Sequence, residues 1–523
     1  MAYRAAHNRH NPIRMRPVNI EDMHLARSAR SALALLAAAL AVAAADLPRS
    51  PGLQVALNRI SAQSMRGHVS FLASDLLEGR STPSTGLDVA AEYVAAQFRR
   101  AGLEPAGDNG YFQTAKFLQF DADPQGFRLE LEAGGKQIVA DLANANLQVT
   151  GPVSLDHAPA LKFSGEDLAR VERLARADVR EKVALYYFDR GLSGPAFRTL
   201  MALRRLRPAL LIVAGPGVPR ERRAELVAAD QRDTEPQVIA FHDGDFASAV
   251  EHLKSGASDL KVTARVAAPK ERVVMLRNIA GVLRGSDPVL KDSYVLLTAH
   301  YDHVGMKAEG DGDRIYNGAN DDASGTASVM EIAGALAVMD PKPKRSLVFI
   351  ALFGEELGLL GSQYYGRHPL FPLAKTIGDI NLEHMGRTDS SEGPKLASAS
   401  FTGFDYSGLP GVFEKAGEQV GVKVYKDNKR SDPFFARSDN QALADLGIPA
   451  HTICVAFEFP DYHGVGDEWQ KLDYENMAKV DRMVALGVVM LADTDSPPKW
   501  NESDAKAKKY VDAWRALHAE GTR

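Results

Sequence analysis

A single cysteine, Cys454, is all the thiol chemistry available in 523 residues. No intramolecular disulfide can form, so the fold must rest on its core. Cys454 sits in the apolar run HTICVAF, a setting for a buried, inert thiol; a reactive one needs an electropositive, partly exposed site. Charge of one sign is also lacking. The 62 basic residues stand against 67 acidic ones, a formal net charge of -5, which gives no reason to expect nucleic acid. The zinc signature H-E-x-x-H and the nucleophile elbow G-x-S-x-G are both absent, which argues against hydrolases of those kinds. No internal repeat is present.

What is there suits a globular chain of two or three domains, with 45% hydrophobic and 25% charged residues. The N-terminus reads as a signal peptide, residues 1–45. Arg27 and Arg30 precede the apolar run Ala32 to Val42, and Ala43-Ala44-Ala45 offers small residues for cleavage. The run is short for a membrane span. A periplasmic or secreted location follows, with no membrane association beyond the signal.

Residues 46–118 open with helical spacing at Ile60, Met65, Val69, Leu72 and Leu76. An amphipathic helix is expected from Asp88 to Arg100, with Val89, Tyr93, Ala96 and Phe98 inward and Gly102 closing it. Between 119 and 268 short alternating segments such as FRLELEA and VALYYFD are separated by turns. This reads as an inserted β-rich domain without a ligand cluster. From 269 to 523 strands alternate with helices. That pattern predicts an α/β fold with a mixed, largely parallel sheet and helices on both faces.

The chemistry collects in LLTAHYDHVG, NGANDDASG and LVFIALFGEELGLLG, within Leu296 to Gly361. In open α/β sheets ligands bind beyond the carboxyl ends of strands. His300 and Asp302 end the first strand on one side of it, so Asp302 can accept the second ring N–H of His300. In that register His303 points elsewhere. Asp321 sits in a glycine-flanked turn where its two oxygens can bridge two ions, while Asp322 is placed to cap the next helix. Adjacent Glu355 and Glu356 at a strand end can divide metal binding from proton transfer. A third strand ends at Glu383, preferred over its neighbour His384. Late in the chain, His463 follows Asp461-Tyr462 in a loop. Five nitrogen and oxygen ligands favour zinc.

These motifs resemble metallopeptidase family 28, the double-zinc exopeptidases that include secreted bacterial aminopeptidases and glutamate carboxypeptidases. HVSFLASDLLEGRSTPSTG and NIAGVLRGSDPVLKDSYVLLTAHYDHVG look like its N-terminal segment and its entry to the catalytic sheet. The inserted region is similar to a protease-associated domain, with Pro208 where a glycine is usual. The resemblance implies two zinc ions per chain and a peptide substrate. Asp321 would bridge the ions, His300 and Glu383 would complete one, and Glu356 and His463 the other. Glu355 would be the general base, Asp302 would orient His300, and Tyr462 would stabilise the oxyanion. Arg437, Ser438 and Asp439 match a segment lining the substrate side. The family more often has Asp where this chain has Glu383, which leaves aminopeptidase specificity less fixed than hydrolysis. A carboxypeptidase of the glutamate type and a single-zinc glutaminyl cyclase are the alternatives on this fold.

Overall fold

The computed structural model describes residues 50–520 apart from 190–193, 217, 219–223, 258 and 391. The signal segment expected at 1–45 lies outside them. Among the described residues no helix is long and apolar enough to cross a membrane.

Four strands, Ala450–Cys454, Thr376–Leu382, Tyr294–His300 and Ser346–Leu352, lie side by side and run parallel. Nearly every residue in them is buried, as expected of parallel strands covered on both faces. Antiparallel strands extend this sheet on either side. Lys270–Leu283 joins one flank, followed by Phe112–Asp121 and Glu225–Ala228. The sheet is therefore mixed, with a parallel centre.

Helix Ser324–Leu336 packs under this centre and is buried on almost every side. Its Gly, Ala, Ser and Thr positions let helices Ala62–Leu72, Thr85–Ala101 and Tyr474–Asp493 approach closely. Thr85–Ala101 begins where Ser84 accepts the N–H of Leu87 and ends at left-handed Gly102. Its buried face is Leu87, Ala90, Ala91, Val94, Ala95 and Phe98, while Val89 and Ala96 are exposed. The expected face is thus offset, because the contact is made largely by alanines that carry little hydropathy signal.

A second sheet holds eight strands drawn from residues 128–266, with its own apolar core. The chain leaves for it along Phe112–Asp121 and returns along Lys270–Leu283. These two pair antiparallel from Lys270 opposite Asp121 to Ile279 opposite Phe112. The boundary read at 119 falls within this ribbon, and the one read at 268 lies just before it begins again at Lys270. Glu225–Ala228, from within the expected insert, pairs onto the first sheet.

Candidate metal centre

All the ligand-bearing segments leave the same edge of the parallel centre. His300 ends one strand, Glu355 and Glu356 follow Leu352, and Glu383 follows Leu382. The turn 319–323 then places Asp321 among them. Gly318 precedes it with φ +58°, and a Cβ there would stand 2.4 Å from both the Asp321 carbonyl oxygen and the His303 ring. That position requires glycine.

Asp321 is the centre of two groups. His300, Asp321 and Glu383 form one, and His303, Asp321 and Glu356 form the other; in each, one atom per residue lies within 4.8 Å of the rest. His300 Nε2 is 3.3 Å from Asp321 Oδ1. His463 Nε2 approaches Asp321 Oδ2 at 3.1 Å and Glu356 Oε2 at 3.2 Å, joining the second group. The sequence reading set two histidines aside, and the structure brings both back. His303 Nδ1 lies 2.8 Å from Glu356 Oε1. His384 Nε2 lies 3.7 Å from Asp321 and 3.6 Å from Glu383. The chain leaves regular strand geometry after His300, so strand alternation no longer governs where His303 points. His384 has φ +54°, which likewise breaks the alternation that would turn it from Glu383.

Supporting contacts fix these groups. Asp302 is fully buried; its carboxylate accepts the Glu355 N–H at 3.1 Å and the Thr82 hydroxyl at 3.2 Å. His300 Nδ1 is 3.2 Å from the Asp302 carbonyl oxygen and 3.5 Å from its carboxylate, so the backbone is the nearer partner. Asp322 accepts the N–H of Gly325 at 3.0 Å, a helix cap, and that of His384 at 3.3 Å. Two residues without a sequence signal matter as much. Asp467 accepts the N–H groups of Asn320 and Asp321 at 3.0 Å, tying the His463 loop to the Asp321 turn. Arg80 is fully buried and donates to the carbonyls of Leu72, Tyr301, Asn317 and Gly318. It clasps the segments carrying His300 and Asp321. Burial pushes its pKa down to about 10, against the raising fields of Asp302, Asp467, Asp321 and Asp322.

The electrostatics are those of a cation site. Burial acts to raise Asp321, yet the facing rings of His300, His384 and His463 hold it well below the usual carboxylate range. Burial and the Asp321 charge likewise oppose ionisation of Glu356, but His303 and His463 bring it to about 2. Against burial, Asp321 raises His384 to about 9, and Asp321 with Glu356 raises His463 to about 10. His300 Nε2, both His303 ring nitrogens, His384 Nε2 and Glu356 Oε1 are buried without a well-formed hydrogen bond. Buried polar atoms normally have one. Imidazole and carboxylate atoms left so and converging on Asp321 fit zinc.

Glu355 differs from its neighbour. Among the described residues its carboxylate has no hydrogen-bond or ion-pair partner, and burial, with Glu383 and Glu356 adding, holds it well above its ordinary pKa. Tyr462 stacks on His463 at 4.2 Å and meets His384 edge-on at 5.3 Å. Burial raises its pKa, so its hydroxyl stays protonated. A small pocket of about 20 Å³ lies beside the groups, lined by Glu383, Phe434, Arg437, Ser438, Phe457 and Tyr462 among others. Arg437 is exposed and rests over the Phe434 ring. Ser438 is buried and accepts from Asn381 at 2.8 Å. Asp439 does not line the pocket. It is 1% exposed and accepts from Ser362 at 2.5 Å.

Residues 278–488 match the model of Peptidase family M28. A probable zinc metalloprotease of Pyricularia oryzae is 28% identical over 219 residues, 40% of this chain and 40% of that protein. One from Pyrenophora teres f. teres is 37% identical over 130 residues, 24% of this chain and 26% of that protein. The chain thus spans less than half the length of these curated relatives. Among solved structures, the aminopeptidase from Aneurinibacillus sp. strain AM-1 shares the fold. Its TM-score is 0.54 and its identity 19%, covering 86% of this chain and 97% of that one. The residues that match the model of Peptidase family M28, 278–488, are the ones that carry both ligand groups.

Proposed function

We propose that the protein is a zinc-dependent exopeptidase, an aminopeptidase that releases N-terminal residues from peptides. One observation carries this reading: two ligand groups share Asp321, and the unpartnered carboxylate of Glu355 follows the same strand end as Glu356. His300 and Glu383 would hold one ion, and Glu356 and His463 the other, with Asp321 common to both. His303 and His384 stand against these groups. When bound, the ions supply Lewis-acid polarisation of a carbonyl and lower the pKa of water.

The chain's own residues do the rest. Glu355, which follows the strand end with no partner for its carboxylate among the described residues, takes a proton from the attacking water and returns it to the leaving amine. The Tyr462 hydroxyl donates to the negative charge that grows on the carbonyl oxygen. Asp302 holds the backbone of Glu355 and abuts the ring of His300. The small pocket beside the ligand groups, lined by Glu383 and Tyr462, would receive the end of the peptide next to the cleaved bond. Arg437 at the same pocket suits a terminal carboxylate, the feature that favours the carboxypeptidase alternative. The second sheet then corresponds to a protease-associated domain that shapes access, and residues 1–45 to a leader that directs the enzyme to the periplasm or outside the cell.

A panel of dipeptides blocked at either end, assayed with chelator and after zinc restoration, tests the proposal. C-blocked substrates should be cut and N-blocked ones spared. The reverse pattern means a carboxypeptidase, and turnover untouched by chelator removes the metal reading. N-terminal sequencing of the exported protein checks the leader.

A further inference from the structure

We infer that Arg387 and Asp461 form a positioning pair that seats His463, so that one metal position can be weakened more than the other. The inference rests on the two-metal reading of the site. His463 needs such a device. Its side chain is 41% exposed, and its backbone has φ +51°. It arrives on a loop more than a hundred residues after Glu356.

Arg387 is 3% exposed and lies three residues beyond His384. Its backbone is fixed to the Asp321 turn, because Asn320 Oδ1 accepts the N–H groups of Gly386 at 2.9 Å and Arg387 at 2.8 Å. Its guanidinium then reaches the other way. One arm donates to Asp461 Oδ2 at 2.8 Å, two residues before His463, and two others grip Asp389. The same guanidinium lies over the Phe459 ring at 5.3 Å. Phe459 meets Tyr462 at 5.7 Å, and Tyr462 stacks on His463. Arg387 therefore touches the His463 loop by charge and by a series of rings, while its own backbone is referenced to Asn320, next to Asp321.

Lys471 also reaches Asp461, at 3.0 Å, but its side chain is 44% exposed. A solvated lysine contributes less than a desolvated, multidentate arginine. Arg387 and Asp461 make no hydrogen bond or ion pair to His300 or Glu383; Phe459 also meets His384 at 5.2 Å, so the effect should fall mainly, not solely, on the group that His463 joins.

Zinc binding to the full chain, measured by dialysis against metal buffers, separates the outcomes. Wild type should take up two ions. Arg387→Met should leave the first binding step nearly unchanged and weaken the second by about 10–100-fold, the scale of losing a contact that orients a ligand. Arg387→Lys should recover part of that loss. Asp461→Asn, nearly isosteric, provides the same test if Arg387→Met does not fold. The double variant should lose little more than either single one, since both remove one interaction. Equal weakening of both steps, or an unchanged second step, overturns the inference and leaves the two-metal reading standing. A wild type that binds one ion overturns both.

Discussion

Both sheets carry parallel strands buried on both faces: Val183–Tyr187 and Leu210–Ala214 in one, Tyr294–His300 and Ser346–Leu352 in the other. Their strand ends differ. After Phe241 come His242 and Asp243, 2.8 Å apart, and no third ligand joins them among the described residues. After His300, Leu352 and Leu382 come ligands that converge on Asp321. Parallel topology supplies an edge where side chains can gather, but it does not gather them. That takes buried clasps across the chain. Arg80 links the segments of His300 and Asp321, and Asp467 links those of Asp321 and His463. The second sheet has a core of similar quality and no comparable clasp among the described residues at its strand ends.

The sharpest way to break this contrast is Asp321→Ala, which removes the residue common to both groups. Zinc content should fall to near zero and hydrolysis below detection, while circular dichroism keeps its native shape. Glu355→Gln should come next. Turnover should fall by about 10²–10⁴-fold, the range for losing a general base, with zinc content unchanged. Normal turnover in that variant would remove Glu355 from the chemistry. Asp302→Asn disturbs only the surroundings of His300 and Glu355, and should weaken zinc binding by about 10–100-fold in a competition titration.

The pH response of the metal-free protein is a milder probe. His384 at about 9 and His463 at about 10 stand above the 6.5 of a free histidine. Their pairing stabilises the fold fully below pH 6.5 and is lost as pH rises through 9 and 10. Glu356, at about 2 against 4.5, contributes above pH 4.5 and loses that contribution as pH falls toward 2. Melting temperature with chelator should therefore drop from near-neutral to alkaline pH. Zinc should flatten that drop, because bound imidazoles are already neutral. A flat profile without metal would mean the histidines are not paired as described. Smallest for the site, though not for the fold, is Ile212→Ala in the second sheet. Ile212 is fully buried, so unfolding free energy should fall by about 2–5 kcal/mol. Zinc affinity should not change; a loss there would show that the two sheets share one function.

Much of this was legible in residue order. Buried strands such as YVLLTAH and SLVFIAL announce themselves as apolar runs, and the acids and histidines at their ends stand out against that background. Gly102 and the Asp322 cap follow from local chemistry alone. Less legible were residues whose partners lie far along the chain. His303 and His384 sit beside expected ligands and were set aside on strand alternation, which stops applying once the chain turns. Asp439 is buried against Ser362, far earlier in the chain. Arg80 reads as one basic residue in a loop until four carbonyls surround it.

The sequence by itself determined a kind of edge: apolar strands with nitrogen and oxygen ligands at their carboxyl ends, and Glu355 beside Glu356. Those features depend on alternation, capping and hydropathy over a few residues. Only the tertiary structure decided which candidate ligands meet at Asp321. Side-chain distances at Asp321 are fixed by Arg80, Asp467 and the 457–467 loop, whose contacts join residues hundreds of positions apart. The desolvation that turns Asp321, Glu356 and the surrounding histidines into a cation site exists only once those segments have packed together.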